Sequence, residues 1–133
     1  MKSSAKDIIE VLIFVESRYQ ANRKRITSTV KDVLTRQGVK GPVEVSIAIV
    51  GDRKMRALSQ KYKGEDKTRN ILSFSTAEGD HVVMPTDRLR LGDIVISFPF
   101  VITEAAKMDM LVDDRIDELV EHGLMHLLGL HHE

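Results

Sequence analysis

The 133-residue chain has no cysteine and no tryptophan, three prolines, and as aromatics only four Phe and two Tyr. Without cysteine there can be no disulfide, and any metal has to be held by histidine and carboxylate. So few aromatic rings offer little for base stacking, so sequence-specific reading of a nucleic-acid strand is not suggested. Apolar runs such as Val11 to Val15 are far too short to cross a membrane. Met1-Lys2-Ser3-Ser4 leads into charged residues and not into a signal-peptide core, so a cytoplasmic protein is expected. No repeat, linker or low-complexity stretch interrupts the chain.

What is present suits one domain, residues 1–133, large enough for a single hydrophobic core: 42% of residues are apolar and 30% charged. The formal net charge is zero, but it is unevenly laid out. Residues 1–92 hold 18 Lys/Arg against 11 Asp/Glu, and residues 93–133 hold 2 against 9. The basic part offers an electrostatic face for a polyanion, and the acidic part surrounds the C-terminal histidines.

Periodicity predicts the element order β-α-β-α-β-β-α-α. Ile8 to Val15 is β-branched and apolar, as a buried strand is. From Asn22 to Gln37, Ile26, Val30, Val33 and Leu34 recur at helical spacing, and Gly38 ends the run. Val43, Val45, Ile47 and Ile49 alternate with smaller or polar residues as a strand does. Gly51-Asp52 opens a short helix carrying Met55 and Leu58 that stops near Gly64. Ile71 to Phe74 and Leu91 to Ser97 read as strands, joined by an irregular loop that contains His81, a lone histidine without ligand spacing. Pro99 suits the first turn of a helix to Lys107. The last helix, Val112 to Leu128, carries a core stripe of Ile116, Val120, Gly123, Leu124 and Leu127. Such an order argues for an α+β fold, a small mixed sheet of about four strands with helices packed on it.

The stretch Glu121 to Glu133, E-H-G-L-M-H-L-L-G-L-H-H-E, holds four of the five histidines. His122 and His126 are four apart and project from one face of a helix. Gly129 can take the left-handed conformation that turns the chain back, which lets His131 or His132 close a third side. Three neutral imidazoles around an open position suit a catalytic zinc, whose water is acidic enough to act near neutral pH. The spacing matches the extended metalloprotease pattern H-E-x-x-H-x-x-G-x-x-H, in which His132 is the third ligand, except that Gly123 replaces the glutamate base. That change keeps the metal and removes the peptidase's base. Glu121 lies about a hundred degrees round the helix from His122 and cannot take that role.

H-G-L-M-H-L-L-G-L-H-H resembles the H-G-x-L-H-L-x-G-Y-D-H signature of the YbeY endoribonuclease family. K-Y-K-G-E-D-K-T-R-N-I-L-S-F (Lys61 to Phe74) and L-G-D-I-V-I-S (Leu91 to Ser97) resemble that family's upstream blocks, in the same order. The resemblance implies a zincin-like fold with the metal site on the C-terminal helix and following turn. It also implies a single-strand-directed, metal-dependent endoribonuclease acting in ribosomal RNA maturation and ribosome quality control, with ribosomal assembly proteins as possible partners. Carried over residue by residue, it makes His122, His126 and His132 the metal ligands. Lys63 takes the place of the family's arginine at the phosphate; Lys63, Arg69 and Ser73 would meet substrate. Lys61 and Lys67 belong to the same cationic cluster. Asp93, in the L-G-D block, is either a general base or a residue that orients its turn. The chain departs from the family at Lys63, at Arg69 where Thr is common, and at His131, which replaces an aspartate. The chemistry expected is phosphodiester attack by a water activated on the metal, with cations neutralising the phosphate oxygens. A zinc peptidase is disfavoured by Gly123, and a non-catalytic RNA-binding factor with a structural metal is the third class.

Overall fold

The structure, a computed structural model, describes residues 9–76 and 89–130. His81, His131 and His132 lie outside the described residues, as does most of the predicted loop between the third and fourth strands. The observed order is β1 (Ile9–Val15), α1 (Arg23–Arg36), β2 (Val43–Val50), α2 (Asp52–Lys63), β3 (Ile71–Ser75), β4 (Leu89–Ser97), α3 (Phe98–Met108) and α4 (Val112–Leu127). The strands form one mixed sheet in the order β1-β2-β4-β3, in which β1, β2 and β4 are parallel and β3 runs antiparallel along the edge of β4.

Both faces of the sheet are used. On one, α1 contributes Ile26, Val30, Val33 and Leu34, and α4 contributes Ile116, Leu119, Val120, Leu124 and Leu127. They pack on Val43, Val45, Ile47 and Ile49 of β2 and on Ile94 and Ile96 of β4. On the other face, the α2 residue Met55 packs with Val50, Leu72 and Val95, with Leu58 and Phe74 beside them. Full burial of each such side chain is worth about 1.5–3 kcal/mol, so these two layers supply most of the driving force.

Local chemistry sets the ends of the elements. Asn22 caps α1 by accepting from the Arg25 N–H at 3.0 Å. Ser97 caps α3, and Pro99 sits in the first turn. Gly64 closes α2 in the left-handed conformation.

The free edge of β1 is also specified. The Glu16 N–H bonds the Ile49 carbonyl at 3.0 Å, so alternation turns the backbone groups of Val11, Ile13 and Val15 outward. The Arg23 guanidinium donates to the outward Ile13 carbonyl at 2.8 Å.

The charge asymmetry is partly consumed inside this fold. Arg25 on α1 pairs with Asp114 and Asp117 on α4, and Thr29 donates to Asp117 at 2.9 Å. Its hydrogen bonds to Asp114 and then to Asp117 raise the pKa of the Arg25 guanidinium above its ordinary value. The basic opening of α1, mildly unfavourable against the helix dipole, thus meets the acidic first turn of α4.

Candidate functional site

Helix α4 begins with Asp113 and Asp114 in its first turn, where the helix dipole favours them. It buries its apolar stripe and leaves His122 exposed and His126 half-buried on its flank. The two histidines stand on successive turns, about 6 Å apart along the axis. Gly123 sits between them, against Ile94 of β4. A Cβ there would lie 2.9 Å from Ile94 Cδ1 and 3.1 Å from both Ile94 Cγ1 and Cγ2. Ile94 is β-branched and fully buried, so it cannot give way cheaply. Position 123 therefore has no room for a glutamate, whatever its place in the motif.

The end of α4 is pinned. The Leu130 N–H bonds the Met125 carbonyl at 2.9 Å and the Gly129 N–H bonds the His126 carbonyl at 3.0 Å, with Gly129 at φ +77°. This paired pattern ends the helix at Gly129, three residues after the second histidine. Among the described residues, no three His, Asp or Glu side chains are grouped so as to hold a metal ion.

Beside α4 runs β3. Asn70 accepts from the Ser97 N–H at 2.9 Å, which makes Asn70 and, by alternation, Leu72 and Phe74 the residues bonded to β4. Ile71 and Ser73 then turn their N–H and C=O groups to the free edge, and those groups have no partner among the described residues. Side chains alternate too. Leu72 and Phe74 belong to the α2 layer, so Ile71 and Ser73 point toward the α4 side, and Ser73 pairs in register with Ile94 beneath Gly123. A polar chain holds the start of β3 to α4. The Asn70 side-chain amide donates to Glu104 at 3.2 Å, and Arg115 donates to Glu104 at 3.0 Å. Burial depresses the Arg115 pKa, but hydrogen bonds to Glu118 and Glu104 outweigh it and the net shift is upward.

The remaining predicted residues divide. Lys63 is the last residue of α2, exposed and without an ion pair among the described residues. Lys67 is likewise exposed and unpaired among them, whereas Arg69 is half-buried and bonded to Glu65 at 2.9 Å. Helix α2 lies on the opposite face from α4, yet both helices end toward the same end of β3. Tyr62 contacts Phe74, and Leu127 approaches Gly92, the register partner of Ser75. The two walls thus meet round the edge of one strand.

Asp93 is not brought to the histidines. Its register partner is Phe74, on the α2 face, and there it accepts from Ser46 and Arg90. Arg90 also donates to Glu44 at 2.7 Å. The reason lies two residues earlier, in a bulge between Glu44 and Val45 that leaves Leu91 without a register partner on β2. Gly92 follows at φ +147°, where a Cβ would fall 2.2 Å from the Phe74 carbonyl oxygen. The glycine of the L-G-D block is therefore required by backbone geometry, and Asp93 orients β4 through a polar cluster away from α4.

Two features escaped the sequence reading. The edge of β3, unpartnered among the described residues, carries no residue-type signal. Tyr62 falls at core spacing with Met55 and Leu58, yet it is 53% exposed; the signal was its place between two lysines at a helix end. An open groove of about 560 Å³ also runs along α2 between Arg53, Arg56, Gln60, Asp66 and Thr68. It lies away from the histidines and is mixed in charge.

A profile of the family described as "Endoribonuclease YbeY" matches residues 13–133. Among curated relatives of that name, the one from Roseiflexus castenholzii is 34% identical over 130 residues, covering 97% of this chain and 82% of its own. The one from Roseiflexus sp. strain RS-1 is 41% identical over 110 residues, covering 81% and 69%. The Acinetobacter baumannii relative is 32% identical over 120 residues, covering 90% and 76%. The solution structure of TM1509 from Thermotoga maritima superposes with a TM-score of 0.59 at 21% identity, covering 95% of this chain and 75% of that one, a likeness of fold. With the family profile spanning nearly the whole chain and the histidine helix seated beside β3, the chain belongs to the YbeY endoribonuclease family.

Proposed function

We propose that this protein is a metal-dependent, single-strand-directed endoribonuclease that matures ribosomal RNA in the cytoplasm. The observation that supports the reading is the setting of β3 among the described residues: the His122/His126 helix packs beside it, the backbone groups of Ile71 and Ser73 have no partner there, and Lys63, without an ion pair there, follows the Tyr62 that contacts Phe74. The donor set fits a zinc ion, because neutral imidazoles on successive turns of a rigid helix are common zinc ligands. His132 is our third ligand, with His131 as its competitor. A bound zinc supplies Lewis acidity and a water of lowered pKa.

The chain's own residues do the rest. The Lys63 ammonium would balance charge on a non-bridging phosphate oxygen, with Arg69 a secondary contact because Glu65 already engages it. The Ser73 hydroxyl and the edge N–H groups of β3 would donate to the ribose–phosphate chain and hold it extended. The crowding at Gly123 weighs against the peptidase reading, since position 123, where the motif of that chemistry carries its base, has no room for a carboxylate side chain.

Metal analysis of the purified protein, followed by digestion of single-stranded RNA and of casein with and without chelator, tests this. The expected result is about one divalent ion per chain, chelator-sensitive RNA cleavage and intact casein. His126→Ala should lose the metal and the cleavage together. Loss of metal in His131→Ala with retention in His132→Ala would reassign the third ligand. Digested casein would return the peptidase reading, and RNA binding without chelator-sensitive cleavage would return a non-catalytic assembly factor.

A further inference from the structure

We propose that Tyr62 is the stacking platform for one base of the bound RNA strand, with Lys61 and Lys63 taking the phosphates on either side of that nucleotide; this rests on the ribonuclease reading above. Tyr62 is 53% exposed although it is a large ring at a core-spaced position of α2. Phe74 braces it at a centroid distance of 4.9 Å and an interplanar angle of 59°, so the brace is tilted and does not cover the ring. The second tyrosine shows the contrast. Tyr19 is stacked on Phe98 at 4.6 Å and 25°, and Arg18 lies over its ring at 5.0 Å. Among the described residues, the cation near the Tyr62 ring is Lys61, its Nζ 5.1 Å from the centroid, and that lysine has no ion pair there to hold it back from a phosphate.

Position supplies the second argument. Phe74 follows Ser73, whose backbone groups face the free edge of β3 and whose side chain points toward α4. A single strand with a phosphate at that edge would carry an adjacent base over the rim onto Tyr62. An aromatic face flanked by two cations at successive positions is the combination that binds single strands without reading base identity. A duplex, whose bases are already stacked and paired, gains nothing from the ring. The other exposed aromatic, Phe14, is on β1 at the opposite edge of the sheet and has no lysine or arginine beside it in sequence. The site therefore selects single strands by an available π-face, and base composition should matter little.

The test is equilibrium binding of a short, labelled, non-cleavable 2′-O-methyl RNA to the full chain, as a single strand and as a duplex. Tyr62→Phe should bind the single strand within about twofold of wild type, and Tyr62→Leu, which still covers Phe74, should bind it about fivefold or more weakly. Duplex affinity should not move. Lys61→Ala and Lys63→Ala should flatten the salt dependence, by about one unit of slope each, while Tyr62→Leu should leave the slope intact. Single-strand affinity unchanged in Tyr62→Leu, or lost equally for the duplex, overturns the proposal while leaving the ribonuclease reading in place. Should Tyr62→Leu unfold, an abasic scan of the RNA with wild-type protein decides. One position that costs about fivefold supports the platform, and a flat scan overturns it. Wild-type protein that binds no single-stranded RNA at all overturns both readings.

Discussion

Helices α1 and α2 carry the same formal charge, five Lys or Arg and one Asp each, and they use it in opposite ways. On α1, Arg25 is bound to two aspartates of α4, Arg23 to a strand carbonyl, and Arg36 lies 3.9 Å from Glu121. On α2, only Arg56 has an ion pair, a 3.4 Å contact with the exposed Asp66, and Arg53, Lys54, Lys61 and Lys63 have none among the described residues. The difference comes from the neighbour. Helix α1 shares its sheet face with the acidic α4, whereas α2 lies on the other face, where the described residues include no acidic helix. A basic helix is an interface for a polyanion when its charge is left over after folding, and counting along the chain cannot tell the two cases apart.

The bluntest way to break the contrast is to lift α4 from the sheet. Gly123→Glu forces a carboxylate against the buried Ile94, and overpacking plus an unpaired buried charge should cost roughly 3 kcal/mol or more. Thermal denaturation should show the loss, and with it the α1–α4 pairs and the histidine frame. Retained stability would mean that α4 is not seated as described.

Next in size is a pair of mirror-image substitutions. Lys63→Ala should leave the melting temperature unchanged and lower single-turnover cleavage at saturating RNA by tenfold or more, about 1.4 kcal/mol, with a smaller loss of affinity. Lys63→Arg should retain or raise activity, because a guanidinium grips phosphate with two prongs. Arg25→Ala should do the reverse, lowering the melting temperature without altering the salt dependence of RNA binding. Equal losses of binding and cleavage in Lys63→Ala would remove that residue from the reaction.

Smaller effects sharpen the same line. Arg53→Ala and Lys54→Ala should each weaken RNA binding modestly and reduce its salt slope by about one unit if α2 contributes a general phosphate surface. An unchanged slope would confine the RNA to the β3 end of the helix. Least of all, Arg36→Ala should change stability by no more than about 0.5 kcal/mol in denaturant titration, because its pair is long and solvent-exposed.

Much of this architecture was legible in the sequence, because it is governed by local rules. The alternation from Val43 to Ile49, the stripe from Ile116 to Leu127 and the glycines at 64 and 129 predict elements whose ends the structure moves by a residue or two. The histidine pair was legible for the same reason, since four-residue spacing on a helix has one geometric outcome. What lay hidden was non-local. Arg25 finds its carboxylates 89 and 92 positions away. The parity of β4 is reset by a bulge at Leu91, which sends Asp93 to the face opposite the histidines. Tyr62 has core spacing, yet Phe74 braces it at a tilt and leaves about half of the residue exposed.

The contact between Arg23 and Ile13 has a consequence for behaviour at high concentration. The outer edge of β1 presents the backbone groups of Val11, Ile13 and Val15, bonded among the described residues to no further strand, and Leu12 and Phe14 on the same strand are 42% and 58% exposed. Such an edge is a template for adding a strand from a second molecule, and flat apolar edges are where aggregation starts. By occupying the middle carbonyl of that row, the guanidinium makes pairing cost a bond already formed, and it places a charge where an incoming strand would have to lie. Resistance to pairing at this edge then rests on an exposed residue outside the core, and Arg23→Ala should show itself in light scattering long before it shows in a melting curve.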